Sequence, residues 1–269
     1  MKPLSSADPA RTAAIAGVVF DLDDTLLTHG RLTRDAYDAM WDLHDAGFTL
    51  IAATGRPIGW AEVVARQWPV AGVVAENGAI FAVRKYNRVS VHDRVAAAVR
   101  ADRMHRLARV VQAVRDAVPS LGFSDDAHHR KTDVAWDIGE HVTVDTALVE
   151  KAMGVIERES AYATRSSVHL HASYDVCEKA DGVLWFASDV LGLDVTSTLN
   201  TFAFVGDSPN DQSCFAAFSY GVGVANVANS LPRLRFRPRF VTEGEAGAGF
   251  RELANHLLLH RRVVGASQQ

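Results

Sequence analysis

Three short apolar runs in this chain each end abruptly at a cluster of polar residues, and that repeated join limits the folds open to it. The runs are Ile15-Ala16-Gly17-Val18-Val19-Phe20, Phe48-Thr49-Leu50-Ile51-Ala52-Ala53 and Thr201-Phe202-Ala203-Phe204-Val205. Such runs suit strands buried on both faces of a parallel sheet. Between the first two, Thr33 to Ala46 carries apolar residues at helical spacing (Ala36, Met40, Leu43), with Gly47 just past its end. A helix through Trp60 to Gln67 and a strand from Gly72 to Ala75 continue the alternation. Strand and helix in turn predict an α/β fold with a doubly wound parallel sheet. In such a sheet, loops leaving the carboxyl ends of the strands share one edge and line one crevice. Asp21, Asp23, Thr54, Asp207 and Asp211 stand at these joins and are expected to converge there.

Residues 82–175 break the rhythm. They hold a long helical stretch from Val91 to Val118, strand-like stretches at Lys131 to Ile138 and Ser166 to His171, and a shorter helix near Ala147 to Glu159. This segment reads as a second domain inserted into the first, whose own parts are residues 15–81 and 176–269. After it come a helix from Asp181 to Leu191, the third apolar run, and strands at Tyr220 to Val224 and near Phe240-Val241. Residues 1–14 read as a loose tail, lacking the apolar stretch of a signal peptide.

No apolar run approaches the roughly 20 residues a membrane span requires. Cys177 and Cys214 stand far apart, which excludes a disulfide framework or zinc cluster and fits a reducing cytoplasm. With 28 basic against 32 acidic side chains the formal charge is −4, a poor match for nucleic acid. The expected partner is a small phosphorylated metabolite, with neither nucleic acid nor membrane, and the chain is expected as a monomer or homodimer. Carboxylates gathered in one crevice repel one another unless a cation neutralises them. Magnesium prefers oxygen ligands, few of them from protein, and completes its octahedron with water and phosphate. The convergent acids therefore suit Mg2+ and a phosphate.

Four segments then fall into one order. Asp21-Leu22-Asp23-Asp24-Thr25 follows the first run, Thr54-Gly55-Arg56 the second, Lys179 the insert, and Gly206-Asp207-Ser208-Pro209-Asn210-Asp211 the third run. On these residues the sequence resembles the haloacid dehalogenase superfamily, in the Cof-like branch (subfamily IIB) with a C2-type α/β cap. That branch includes sugar-phosphate and mannosyl-3-phosphoglycerate phosphatases. Glu76-Asn77-Gly78-Ala79 is also typical of the branch, where the chain leaves the core for the cap. Asp24 stands where many relatives have glycine, and Lys179 lacks an immediately following glycine.

The resemblance implies a Rossmannoid core, a cap domain and a Mg2+-dependent phosphatase working through an aspartyl-phosphate. Asp21 would be the nucleophile and Asp23 the acid and base. Mg2+ would be held by Asp21, the backbone carbonyl of Asp23, Asp207 and Asp211, the last directly or through water. Thr54, Gly55, Lys179 and Asn210 would hold the phosphoryl oxygens. The implied substrate is a small phosphate monoester of the sugar-phosphate or glycosyl-phosphoglycerate type.

Each feature has a plainer reading beside this one. Asp21 to Thr25 alone would serve as a helix N-cap cluster, and Gly206 to Asp211 as an ordinary turn. His169 and His171 share one face of a strand and either touch substrate or are satisfied histidines. His128-His129-Arg130-Lys131 reads by default as a solvated loop, and Arg233, Arg235, Arg237 and Arg239 as exposed positions before the last strand. Trp60, Trp68 and Trp185 read as core. A phosphomutase would use the same aspartyl-phosphate, but the short span from Thr25 to the helix at Thr33 leaves no room for a cap there. A phospho-acceptor signalling module would place its Asp on a later strand and lack a partner like Asp23.

Overall fold

The computed structural model describes residues 1–266. In chain order the regular elements are β1 (Lys2–Pro3), α1 (Pro9–Ala13), β2 (Gly17–Phe20), α2 (Arg34–Asp45), β3 (Thr49–Ala53), α3 (Ile58–Gln67), β4 (Gly72–Ala75), β5 (Ile80–Lys85) and β6 (Arg88–Asp93). Next come α4 (Ala97–Ala117), β7 (Asp133–Asp137), α5 (Thr146–Arg158), β8 (Tyr162–Arg165) and β9 (His169–Ser173). The chain closes with α6 (Lys179–Leu191), α7 (Val195–Thr201), β10 (Phe202–Gly206), α8 (Gln212–Ala217), β11 (Tyr220–Gly223), β12 (Phe240–Val241) and α9 (Ala246–Ala266).

Nine strands form one sheet in the order β1-β12-β11-β10-β2-β3-β4-β5-β6. It is parallel from β1 through β4, and only the β5–β6 hairpin at one edge runs antiparallel. The apolar runs are strands because each buries both faces. On one face Val18, Phe20, Leu50 and Ala52 pack with Met40 and Leu43 of α2, Val64 of α3 and Phe250, Leu253 and Leu257 of α9. On the other, Val19, Ile51 and Phe204 meet Val183 and Phe186 of α6 and Phe215 of α8. Thr33 caps α2 by accepting from the Ala36 amide, and Gly47 sits past the helix end at φ +80°. The strand ends that lead to Asp21, Thr54 and Asp207 therefore lie side by side in register.

Residues 94–175 make a separate layer, with a three-stranded antiparallel sheet in the order β7-β9-β8 covered by α4 and α5. Its own core joins Leu107, Val110 and Val114 to Trp136, Val149, Ile156 and Leu170.

Four expectations need correction. The boundary expected at residue 82 falls inside β5, because the β5–β6 hairpin extends the large sheet. Tyr86 and Asn87, both at positive φ, make the two-residue turn whose twist matches flanking strands. The long helix starts at Ala97 and not at Val91, since Val89 and Val91 are strand residues packed against the large core. The first residues are not a loose tail: β1 pairs with β12, and Leu4 and Ala7 are buried in the main core. The strand expected at Ser166 to His171 begins only at His169, and β8 precedes it. Beyond the last strand the chain continues into α9, whose Phe250, Leu253 and Leu257 recur at helical spacing.

Candidate active site

Lys179 lies at the first position of α6, fully buried, with its ammonium 2.7 Å from Asp21 and 2.5 Å from Asp211. The chain reaches that point through a close crossing of two glycines. A Cβ on Gly78 would stand 2.5 Å from the Glu178 carbonyl oxygen, and one on Gly182 only 2.3 Å from the Gly78 Cα. This explains why the glycine after Lys179 comes three residues on: it is one helical turn away, against Gly78. In the fourth segment the Asp211 carboxylate folds back to accept the amides of Asp207 (2.9 Å) and Ser208 (3.1 Å). A Cβ on Gly206 would strike that carboxylate at 2.4 Å, so glycine is required there.

Carboxylate oxygens of Asp21, Asp207 and Asp211 lie within 4.8 Å of one another, all buried. Among the described residues, only Lys179 offsets their charge directly. Burial pushes the Asp21 carboxyl up to about 8; Lys179 pulls against it, and Asp211 and Asp23 add to the rise. Burial, then Asp211 and Asp21, raise Asp207 as well. Three desolvated carboxylates sharing one ammonium are short of positive charge, and their hard oxygen donors suit Mg2+. The donor set therefore fits the ion expected there. Asn226, which no sequence motif marks, steadies it: its amide donates to Asp207 (3.2 Å) and to the Asp24 carbonyl (2.8 Å).

The Asp23 side chain does not join that cluster. Arg56 holds it, donating from Nε (2.9 Å) and Nη2 (2.8 Å). The same guanidinium reaches across to the inserted layer, to Asp126 at 3.3 Å and to Glu140 at 2.5 Å, with Trp60 4.8 Å from its charge. Arg56 is 2% exposed, among the most buried large side chains of the protein. The sequence alone assigns Arg56 no role. Its carboxylate partners come from segments 33 to 84 residues away, so no local pattern announces them.

Thr54 is buried, and its hydroxyl oxygen accepts the Arg56 amide at 3.0 Å, leaving its proton to be donated elsewhere. Asn77 links the second and fourth segments, accepting from Asn210 at 3.1 Å and sitting beside Gly55. Glu76, at φ +48°, turns its buried carboxylate to the amides of Ile58 and Lys131. It also accepts the hydroxyl of Thr132 at 2.6 Å, binding the inserted layer to the core. Arg130 is not a solvated loop residue: it is buried, paired with Asp126 and Asp133, and donates to the Gly55 carbonyl at 2.9 Å. His169 and His171 are buried on one face of β9, bonded at 2.8 Å to Glu140 and Asp133 respectively. Arg233, Arg235, Arg237 and Arg239 are exposed, as expected. Trp60, Trp68 and Trp185 are half-buried against the two large-sheet cores.

A buried lysine thus stands among three aspartates at the carboxyl edge of the parallel sheet. Part of the chain is similar in sequence to the haloacid dehalogenase-like hydrolases. A family profile of that description matches residues 18–113. Phosphoglycolate phosphatases from Pyrobaculum islandicum and Pyrobaculum aerophilum are 26% and 28% identical to it, each over 90% of this chain and 95% of their own length. The fold is shared with a solved Thermoplasma acidophilum protein at TM-score 0.70 and 17% identity, over 91% of this chain and 99% of that one. It is also shared with the sucrose-phosphatase of Synechocystis at TM-score 0.64 and 15% identity, covering 90% and 98%. No helix among the described residues is long and apolar enough to cross a membrane.

Proposed function

We propose that this hydrolase is a Mg2+-dependent phosphatase of small phosphate monoesters, with Asp21 as nucleophile and residues 94–175 as a cap over the site. The carrying observation is the Lys179 ammonium between Asp21 and Asp211, near Asp207, with Lys179 and Asn210 both lining one cleft. Asp21 attacks phosphorus as the bond to the leaving oxygen breaks, and Asp23 donates the proton that oxygen needs. Asp23 then takes a proton from water, which attacks the aspartyl-phosphate and restores Asp21. Mg2+, when bound by Asp21, Asp207, Asp211 and the Asp23 carbonyl, supplies charge neutralisation for the approaching phosphate. Lys179, Thr54, Asn210 and the Gly55 amide hold the transferring oxygens, where charge builds up.

Arg56 is a positioning residue in this scheme. Its fork fixes the Asp23 carboxylate while Asp126 and Glu140 hold the cap shut. The phosphoglycolate phosphatases among the relatives, and the sugar-phosphate type implied by the resemblance, both support a small phosphorylated metabolite as substrate.

The test is phosphate release from p-nitrophenyl phosphate. Activity should vanish in chelator and return with Mg2+. Asp21→Asn should lose at least ~1,000-fold in kcat, as nucleophile removals do. Full activity in that variant would refute the assignment.

A further inference from the structure

One pair of cations near the site has no task in the mechanism above. Arg165 ends strand β8 of the inserted layer, and Arg233 ends the short 3-10 helical segment Ala225–Arg233 of the core. Both line one cleft of about 260 Å³, whose wall also includes Lys179 and Asn210. The Nε and Nη1 atoms of Arg165 are shut away from solvent and have no hydrogen-bond partner. Glu150 approaches Nη1 only to 3.7 Å, beyond hydrogen-bonding distance, from a side chain that is 61% exposed. The other acid of the cleft, Glu178, accepts from the Tyr162 hydroxyl at 3.1 Å. Burial, and then the neighbouring Arg233 charge, push Arg165 below its ordinary range. Two guanidinium groups line one cleft, and one of them has two donors without a hydrogen-bond partner. The planar fork of arginine matches a carboxylate or a phosphate and binds either through paired bonds.

We propose that Arg165 and Arg233 form a second anion subsite, so that the preferred substrate is a phosphate monoester carrying another anionic group, carboxylate or phosphate, on its leaving alcohol. The inference rests on the phosphatase reading. The transferred phosphate takes the Lys179 and Asn210 end of the cleft, and the second anion takes the arginine end. Because Arg165 comes from the cap and Arg233 from the core, such a substrate also holds the two layers together.

The experiment compares kcat/KM of the full chain on four compounds. These are 2-phosphoglycolate, fructose 1,6-bisphosphate, glucose 6-phosphate and p-nitrophenyl phosphate. The wild type should favour at least one of the first two over both of the others by about tenfold or more. Which of the two wins distinguishes a carboxylate from a phosphate subsite. In Arg165→Gln and Arg233→Gln, that preference should shrink about tenfold to a hundredfold, mostly through KM, as expected when a charged hydrogen bond is lost. Arg165→Lys should recover part of it. A wild type that hydrolyses p-nitrophenyl phosphate yet shows no such preference overturns the subsite and leaves the phosphatase reading intact. An unchanged preference in both glutamine variants does the same. A wild type inert on all four compounds overturns both.

Discussion

Replacing Arg56 with methionine tests the most heavily used contact in the site. Methionine keeps an apolar stem beside Trp60 but removes every bond the guanidinium makes to Asp23, Asp126 and Glu140. Those three carboxylates would then face one another across the seam between core and cap. Removing one partner of a buried ion pair costs about 3–5 kcal/mol, because the remaining charge stays desolvated. The partners here are not equally dry: the Asp126 side chain is 4% exposed but Glu140 is 17% exposed. The lower half of that range is therefore expected. At roughly 2–4 °C per kcal/mol for a chain of this size, Tm should fall by about 6–16 °C. Calorimetry measures this directly.

The kinetic consequence separates a positioning role from a merely structural one. Without its fork, Asp23 loses the orientation it needs to protonate a leaving alkoxide, a step typically worth ~100- to 10,000-fold. Nitrophenolate leaves without help, so p-nitrophenyl phosphate should be hurt far less than an alkyl phosphate such as glucose 6-phosphate. Equal losses on both substrates, measured below the variant's Tm, would refute the positioning role. A Tm within about 2 °C of wild type would refute the energetic reasoning.

Two other perturbations follow from the same geometry. Lys179→Met should reduce kcat by ~100- to 1,000-fold, as loss of one group stabilising the transferring charge does. Because it leaves Asp21, Asp207 and Asp211 with no ammonium, added Mg2+ should raise its Tm more than it raises that of the wild type; an equal rise in both would contradict the shared-charge account. His171 supplies a pH test. Burial pushes it down to about 4, with Asp133 opposing and Arg130 assisting. A depressed histidine is neutral in the folded protein while the unfolded chain takes up a proton. Its stabilisation is therefore complete above about pH 6.5 and is lost as pH falls towards 4, by roughly 3 kcal/mol. Denaturant titrations should show a shallower acid slope between pH 6.5 and 4 in His171→Gln, and parallel slopes would count against it.

Local signals carried far in this chain. Strand ends at Phe20, Ala53 and Val205 were legible because a strand buried on both faces must be apolar throughout and must stop where polar groups begin. The caps and breaks of α2 could be read from Thr33 and Gly47, since each acts on its own helix end. Elsewhere distant partners decide the outcome. Val89 and Val91 fit a helix or a strand until β5 is there to pair with. Lys2 and Pro3 look like a tail until β12 supplies an edge. Arg130 looks like a solvated cation until Asp126, Asp133 and the Gly55 carbonyl surround it.

For the site, the sequence by itself determined which chemistry is present: acids, an amide and a hydroxyl at strand ends, in an order that places them on one sheet edge, and a lysine after the insert. Sheet topology does that with little help, because parallel strands in register align their carboxyl ends. Only the tertiary structure decided how the charges are shared. It gave Lys179 to Asp21 and Asp211, and Arg56 to Asp23 and the cap. It also left Arg165 in one cleft with Arg233, two of its donors without a partner. Charge pairing depends on distance and burial, and neither is a property of neighbours in sequence.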